Sequence, residues 1–320
     1  MDHAGRGAAL RRALLYGAAR AGRLGVMMSA RPAKAAMTRL SAARRAVAGL
    51  MALAAMGLLA ACAGGPLIDT RHASAAHDSR VRYIIVHYTA VDFEEALRLL
   101  TQTGVSSHYL IDRDPARIHR LVPERRRARH AGVSSWRGET YLNTASVGIE
   151  IVNRGYDWGA PEDWEPYDEA QIAAAAWLIA DIAARNEILP HRILGHAEVS
   201  PGRKSDPGPL FPWRRLAWAG LIPWPDETRL EALTAQYQDA PPDAAWHQAR
   251  LRRHGYPLQE TGEWDDQTRT VLSVFQMRYR PARHDGVTDA QTAALLDLAT
   301  DPDGLMMRGS DGIWRAYRGR

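Results

Sequence analysis

The chain has one cysteine in 320 residues, Cys62, which excludes a disulfide within it. The apolar run from Ala46 to Ala61 falls short of the roughly 20 residues that span a bilayer. Nor does the body of the chain carry an excess of positive charge. The formal net charge is +5, but residues 1–62 hold ten Lys and Arg against one Asp. The 31 basic and 35 acidic residues that follow Cys62 give a net of −4. No general polyanion-binding surface follows, and nucleic acid is not an expected partner. What is present is an ordinary globular composition, 46% hydrophobic and 24% charged. The length accommodates two modest domains of roughly 150 residues each.

The basic N-terminus reads as a secretory signal. From Met37 the sequence runs MTRLSAARRAVAGLMALAAMGLLAAC, a basic start, an apolar stretch and then small residues. Leu59-Ala60-Ala61-Cys62 resembles a bacterial lipobox, which implies lipidation of Cys62 at the end of a leader over 1–62. Ala63, where an Asp would act otherwise, implies sorting to the outer membrane, facing the periplasm of a Gram-negative bacterium. Residues 1–36 add nothing to this signal, and Met37 is the expected start. Residues 63–80 have no periodicity and read as a tether.

Order is expected from Val81. The β-branched and aromatic run Val81 to His87 predicts a buried strand. Helical spacing follows from Phe93 to Thr101, and strands at Ser107–Asp112 and Ile118–Val122 flank a turn at Asp114-Pro115. Ser146 to Asn153 predicts a central strand, Asp168 to Arg185 a long Ala-rich helix, and Ile193 to His196 a short strand. This alternation predicts an α/β domain over 81–225, a mixed central β-sheet flanked by helices. A linker is expected over 226–242. A small all-α domain of three helices follows over 243–300 (Ala244–His254, Gln267–Tyr279, Asp289–Leu298), near the lower size limit for independent folding. Residues 301–320 read as a polar tail.

Three expected strand ends each deliver a candidate, His87, Glu150 and His196, and ligands gather at such rims in α/β folds. His196 opens the segment GHAEVSPGRKSDPGP, Gly195 to Pro209, which also holds Lys204 and Asp206. Its prolines and glycines predict neither helix nor central strand. Two imidazoles and a carboxylate are a recipe for catalytic zinc with one position open, and Asp206 is the obvious carboxylate. Twelve histidines offer many such pairs, however. His77, His247, His254 and His284 read as solvated or capping residues, and His108 suits a core strand as well as a site. The run Arg125, Arg126, Arg127 and Arg129 reads as a solvated loop.

Five motifs in order, IIVHYTA, SSHYLIDRD, HAGVSSW, LNTASVGIEIVN and ILGHAEVSPGRKSDPGPLFPW, resemble the zinc-dependent N-acetylmuramoyl-L-alanine amidases, relatives of the animal peptidoglycan-recognition proteins. Within that family the chain is most similar to the lipoprotein amidases that add a C-terminal helical module. The resemblance implies one zinc ion held by His87, His196 and Asp206, with Glu150 and Lys204 as the catalytic pair. It implies substrate contacts at His130, Trp136 and Asn143, the last also ordering the loop before the Glu150 strand. Arg129 stands where the family often has Trp and bears on the glycan subsite. The implied reaction cleaves the amide between N-acetylmuramic acid, or its 1,6-anhydro form, and L-Ala of the stem peptide. A recognition module without activity and a zinc peptidase acting within the stem are the other readings; all three ligands with Glu150 and Lys204 argue against the first. The stretch from Leu251 to Leu298 resembles the three-helix peptidoglycan-binding domains, with Leu251, Val271, Val274, Phe275 and Leu295 as a minimal core. The expectation is a monomer whose partners are peptidoglycan or muropeptides and, through Cys62, the membrane.

Overall fold

The computed structural model describes residues 44–54, 68–157 and 160–319. Met37 and the lipobox with Cys62 lie outside the described residues. The chain divides into two compact units, Met1–Ala75 and Ala76–Arg320. In the first, residues 44–54 are helical and exposed, and among the described residues no helix is long and apolar enough to cross a membrane. The second unit holds the strands and the remaining helices.

Strand β1 (Tyr83–Tyr88) lies between β6 (Ser146–Ile151) and β9 (Ile193–Gly195). With β2 (Tyr109–Ile111) and β3 (Ile118–Arg120) they make a five-stranded sheet of order β3-β2-β6-β1-β9. All pairs are parallel except β2 with β3, so the sheet is mixed. Its central strands are mostly apolar because helices cover them, and their polar residues, His87 and Glu150 among them, lie toward the strand ends. Helix α1 (Phe93–Gln102) packs Ala96 on Leu110 and Val152. Helix α2 (Glu169–Asn186) adds Ile172, Leu178 and Ile179 to the core of Ile84, Ile85 and Ile149. Each helix starts on an aspartate: Asp92 accepts from the Glu95 N–H, and Asp168 forms a capping box with Gln171. Two hairpins were not signalled by periodicity, β4 (Ser135–Trp136) with β5 (Glu139–Thr140) and β7 (Tyr156–Asp157) with β8 (Ala160–Trp164). Their strands are too short to show an alternation.

The C-terminal helices α6 (Ala244–His254), α7 (Asp266–Tyr279) and α8 (Ala290–Thr300) use one polar device twice. Gln248 accepts from the Gly262 N–H and donates to the Glu263 carbonyl and Thr268 Oγ1. Gln276 accepts from the Gly286 N–H and donates to the Val287 carbonyl and Thr292 Oγ1. Asp265 and Asp289 then cap the helix that follows each loop. Each buried amide thus satisfies a loop that a core this small could not otherwise order. Gln276→Ala is expected to lower stability by about 2–3 kcal/mol by stranding those loop groups; a urea midpoint equal to that of the parent protein would show that water replaces the amide. His247 and His254 are buried, a correction to the solvated half of their reading as solvated or capping residues. His247 donates from Nδ1 to the Asp243 carbonyl and accepts at Nε2 from the Thr288 hydroxyl, and His254 lies among Trp136, Tyr256 and Phe275.

The stretch expected as a linker contains helix α5 (Glu227–Asp239), capped by Asp226 and packed along α8. The expected tail folds back as the hairpin β11 (Leu305–Arg308) and β12 (Trp314–Ala316), with β11 paired to β10 (Trp224–Pro225). Helix α7 reaches the first domain directly. Its Arg278 pairs at 2.7 Å with Glu198 of the helical turn α3 (His196–Val199), each side chain 4% exposed. The guanidinium also lies over the Trp213 ring of α4 (Trp213–Trp218), 4.1 Å from its centroid.

Candidate metal centre and active-site cleft

Parallel register brings the strand ends together. His87 on β1 is paired with Glu150 on β6, and Val86 with Gly195, the residue before His196. Partners across parallel strands share a face, so His87 and Glu150 project on one side at the C-terminal rim. The segment from Gly195 begins with one helical turn, a departure from the expectation of no helix, because its first proline is Pro201. It then doubles back, and the Ala197 N–H donates to the Asp206 carbonyl at 2.8 Å. Gly195 permits the return: a Cβ there would stand 2.6 Å from Pro207 Cδ. Tyr88 Oη at Ser205 Oγ (2.6 Å) and Tyr167 Oη donating to the Pro207 carbonyl (2.8 Å) tie the loop to the domain.

His87 Nδ1, His196 Nδ1 and Asp206 Oδ2 form a buried triangle. Its sides are 2.9 Å between the rings and 2.9 and 3.0 Å from each ring to the carboxylate. A proton can bridge one side only, whereas a cation engages all three atoms. His196 Nε2 lies 3.0 Å from the Ala131 carbonyl, which can only accept, so the ring hydrogen sits there and Nδ1 keeps its lone pair. This donor set fits a divalent metal of the zinc type, with room for a further ligand. Burial, then the neighbouring His196, pulls the His87 pKa down to about 4, so the ring is neutral. Burial works against the Asp206 charge, but His196 and His87 outweigh it and hold the carboxyl well below its ordinary range.

The triangle opens on a cleft of about 760 Å³ that Glu150, Lys204 and Arg129 also line. Glu150 Oε2 is buried with no hydrogen-bond partner among the described residues. Burial, then the Asp206 charge, pushes its carboxyl well above the usual range. Lys204 is exposed on the cleft. His130 touches the cleft but is largely buried behind the triangle, its Nδ1 3.0 Å from His87 Nε2. Burial holds its pKa well below the ordinary value, so this ring too is neutral. Asn143 Oδ1 accepts from the backbone N–H groups of His130 and Ala131, an ordering role away from the cleft. Trp136 is a correction: the ring is 2% exposed, away from the cleft and covered by His254, Gly255 and Tyr256 of the helical domain. His108 is a core residue, accepting from the Gly148 N–H and donating to the Arg126 carbonyl. Sequence reasoning missed the opposite wall, where α7 contributes Arg269, Thr270, Ser273 and Met277. Only the docking of α7 on the first domain places them there.

The N-acetylmuramoyl-L-alanine amidase family matches residues 77–209, and the peptidoglycan-binding-domain family matches residues 241–296. N-acetylmuramoyl-L-alanine amidase AmiD of Escherichia coli is 40% identical over 268 residues, 79% of this chain and 97% of that protein. The chain belongs to the N-acetylmuramoyl-L-alanine amidases. The amidase AmpD of Enterobacter cloacae, a 1,6-anhydro-N-acetylmuramyl-L-alanine amidase, is 28% identical over 48% of this chain and 90% of its own. Among solved amidase structures, E. coli AmiD with anhydro-N-acetylmuramic acid-L-Ala-D-gamma-Glu-L-Lys matches with a TM-score of 0.66 at 40% identity, covering 72% of this chain and 92% of that one. AmpDh3 of Pseudomonas aeruginosa in complex with anhydromuramic pentapeptide matches with a TM-score of 0.67 at 36% identity, covering 72% and 96%. Both alignments reach past the first domain, so the pairing of sheet and helical module is common to these amidases.

Proposed function

We propose that the chain hydrolyses the amide between N-acetylmuramic acid, or its 1,6-anhydro form, and L-Ala of the peptidoglycan stem peptide, in cell-wall turnover or recycling. The observation that carries this is the triangle of His87, His196 and Asp206 opening beside Glu150 in one cleft. Those three residues would hold zinc, which would supply Lewis acidity and a water activated near neutral pH. Glu150 takes the proton of the attacking water and returns it to the leaving amine of L-Ala. A carboxyl with a raised pKa suits that exchange, since it must be a base first and an acid afterwards. Lys204 offsets the negative charge that develops on the carbonyl oxygen. Arg129, on the cleft wall, faces the substrate. The lipobox supports an anchor at Cys62 in the outer membrane, with the enzyme in the periplasm and the helical domain against the wall polymer.

Defined muropeptides and mass spectrometry test the reading. Expected products are a stem peptide with a free L-Ala amine and an unsubstituted muramoyl sugar. Cleavage within the stem makes the chain a peptidase, and binding without turnover in added zinc makes it a recognition module; either overturns the proposal. His87→Ala is expected to bind less than a tenth as much zinc under a chelator challenge and to lose turnover with it.

A further inference from the structure

We propose that Ser146 and His130 form a relay that orders protons behind the metal centre and sets the tautomer of His87. It rests on the reading of His87 as a metal ligand. Ser146 Oγ lies 2.6 Å from the Leu142 carbonyl oxygen, an acceptor that takes the hydroxyl hydrogen. The hydroxyl then has only lone pairs for His130 Nε2, 3.1 Å away, so the ring must bring its hydrogen to that contact. A neutral imidazole protonated on Nε2 has a lone pair on Nδ1. His130 Nδ1 faces His87 Nε2 at 3.0 Å, so His87 donates there. The bare Nδ1 of His87 is thereby turned toward His196 and Asp206. One backbone carbonyl fixes three hydrogens in succession.

The surroundings are built for this contact. A Cβ at position 148 would stand 2.5 Å from His130 Cγ, so strand β6 leaves the ring its place by carrying Gly148. Asn143 Oδ1 holds the N–H groups of both His130 and Ala131. His130 orients one metal-facing ring and the Ala131 carbonyl orients the other, so a single carboxamide steadies the supports of both. Ser146 and His130 are positioning residues that act through His87.

Without its acceptor in Ser146→Ala, His130 is free to carry its hydrogen on Nδ1. Donor then meets donor at His87, whose own hydrogen moves to Nδ1 inside the triangle and opposes the metal. Zinc affinity, measured by chelator competition on the full chain, is expected to fall about 10- to 100-fold in Ser146→Ala and His130→Leu. His130→Asn, whose Oδ1 can stand near the original Nδ1, is expected to retain most of it. Two-bond proton–nitrogen spectra of histidine-labelled, metal-free protein are expected to show His87 and His130 protonated on Nε2, and His87 on Nδ1 in Ser146→Ala. Parental zinc affinity in folded Ser146→Ala, or His87 protonated on Nδ1 in the parent protein, overturns the relay. A parent protein that binds no zinc overturns the ligand reading itself.

Discussion

Glu150→Gln is expected to keep its zinc and its melting temperature while kcat falls by about 10²- to 10⁴-fold, the usual range for removing a general acid–base group. Gln preserves the shape and the acceptor oxygen and removes only the capacity to take a proton. Glu150 Oε2 meets no partner among the described residues, so no buried hydrogen bond rests on that oxygen. An inward carboxylate serving a structural arginine would behave oppositely, losing stability first and activity only as a consequence. Steady-state kinetics on a defined muropeptide, with metal content and thermal unfolding of the same preparation, separate the two. A variant that arrives without zinc, or that turns over within threefold of the parent, removes Glu150 from the proton-transfer role.

The second large effect is on stability. Arg278→Ala is expected to cost about 3–5 kcal/mol, because it leaves the Glu198 carboxylate buried without its cation. Glu198 Oε2 also accepts from the Gly195 N–H at 2.7 Å, and His196 lies between those two residues. Unpairing the carboxylate therefore disturbs the turn that presents His196, and zinc affinity is expected to fall together with the urea midpoint. Glu198→Gln combined with Arg278→Met, which removes both charges, should recover much of the loss. A single Arg278→Ala variant within 1 kcal/mol of the parent would show that water reaches Glu198.

The fold was legible where elements are long and their pattern is strong. The runs around Ile84, Phe93, Ile149 and Ile179 predict their strands and helices to within a few residues, because burial on a sheet or a helix face leaves a period in the sequence. Strand ends and a Pro/Gly-broken loop concentrate ionisable residues and so supply the site's candidates, but with twelve histidines in the chain only the family resemblance singles out the set. A further signal was available: Lys204 is one of two lysines in the chain against 39 arginines, and a compact ammonium differs from a guanidinium in how it approaches an oxyanion. Trp136 was misplaced for the opposite reason. Its burial comes from Gly255 and Tyr256, more than a hundred residues along the chain, and no local pattern encodes that contact. Helix α5 and the β11–β12 hairpin were hidden similarly, since their order comes from packing on α8 and pairing with β10.

The in-register pairing of His87 with Glu150 and of Val86 with Gly195 has a bearing on how such an enzyme can diversify. Neighbouring strands stand about 4.8 Å apart whatever the loops beyond them do, so the spacing of His87, Glu150 and His196 is inherited from the sheet. The walls of the cleft come from elsewhere, from the Arg129 segment and from α7. Changes at Arg269, Ser273 or Met277 can therefore alter which molecules enter while the reaction stays as it was. A library varied at those positions and selected on different muropeptides would explore substrate choice on a chassis whose chemistry is held constant.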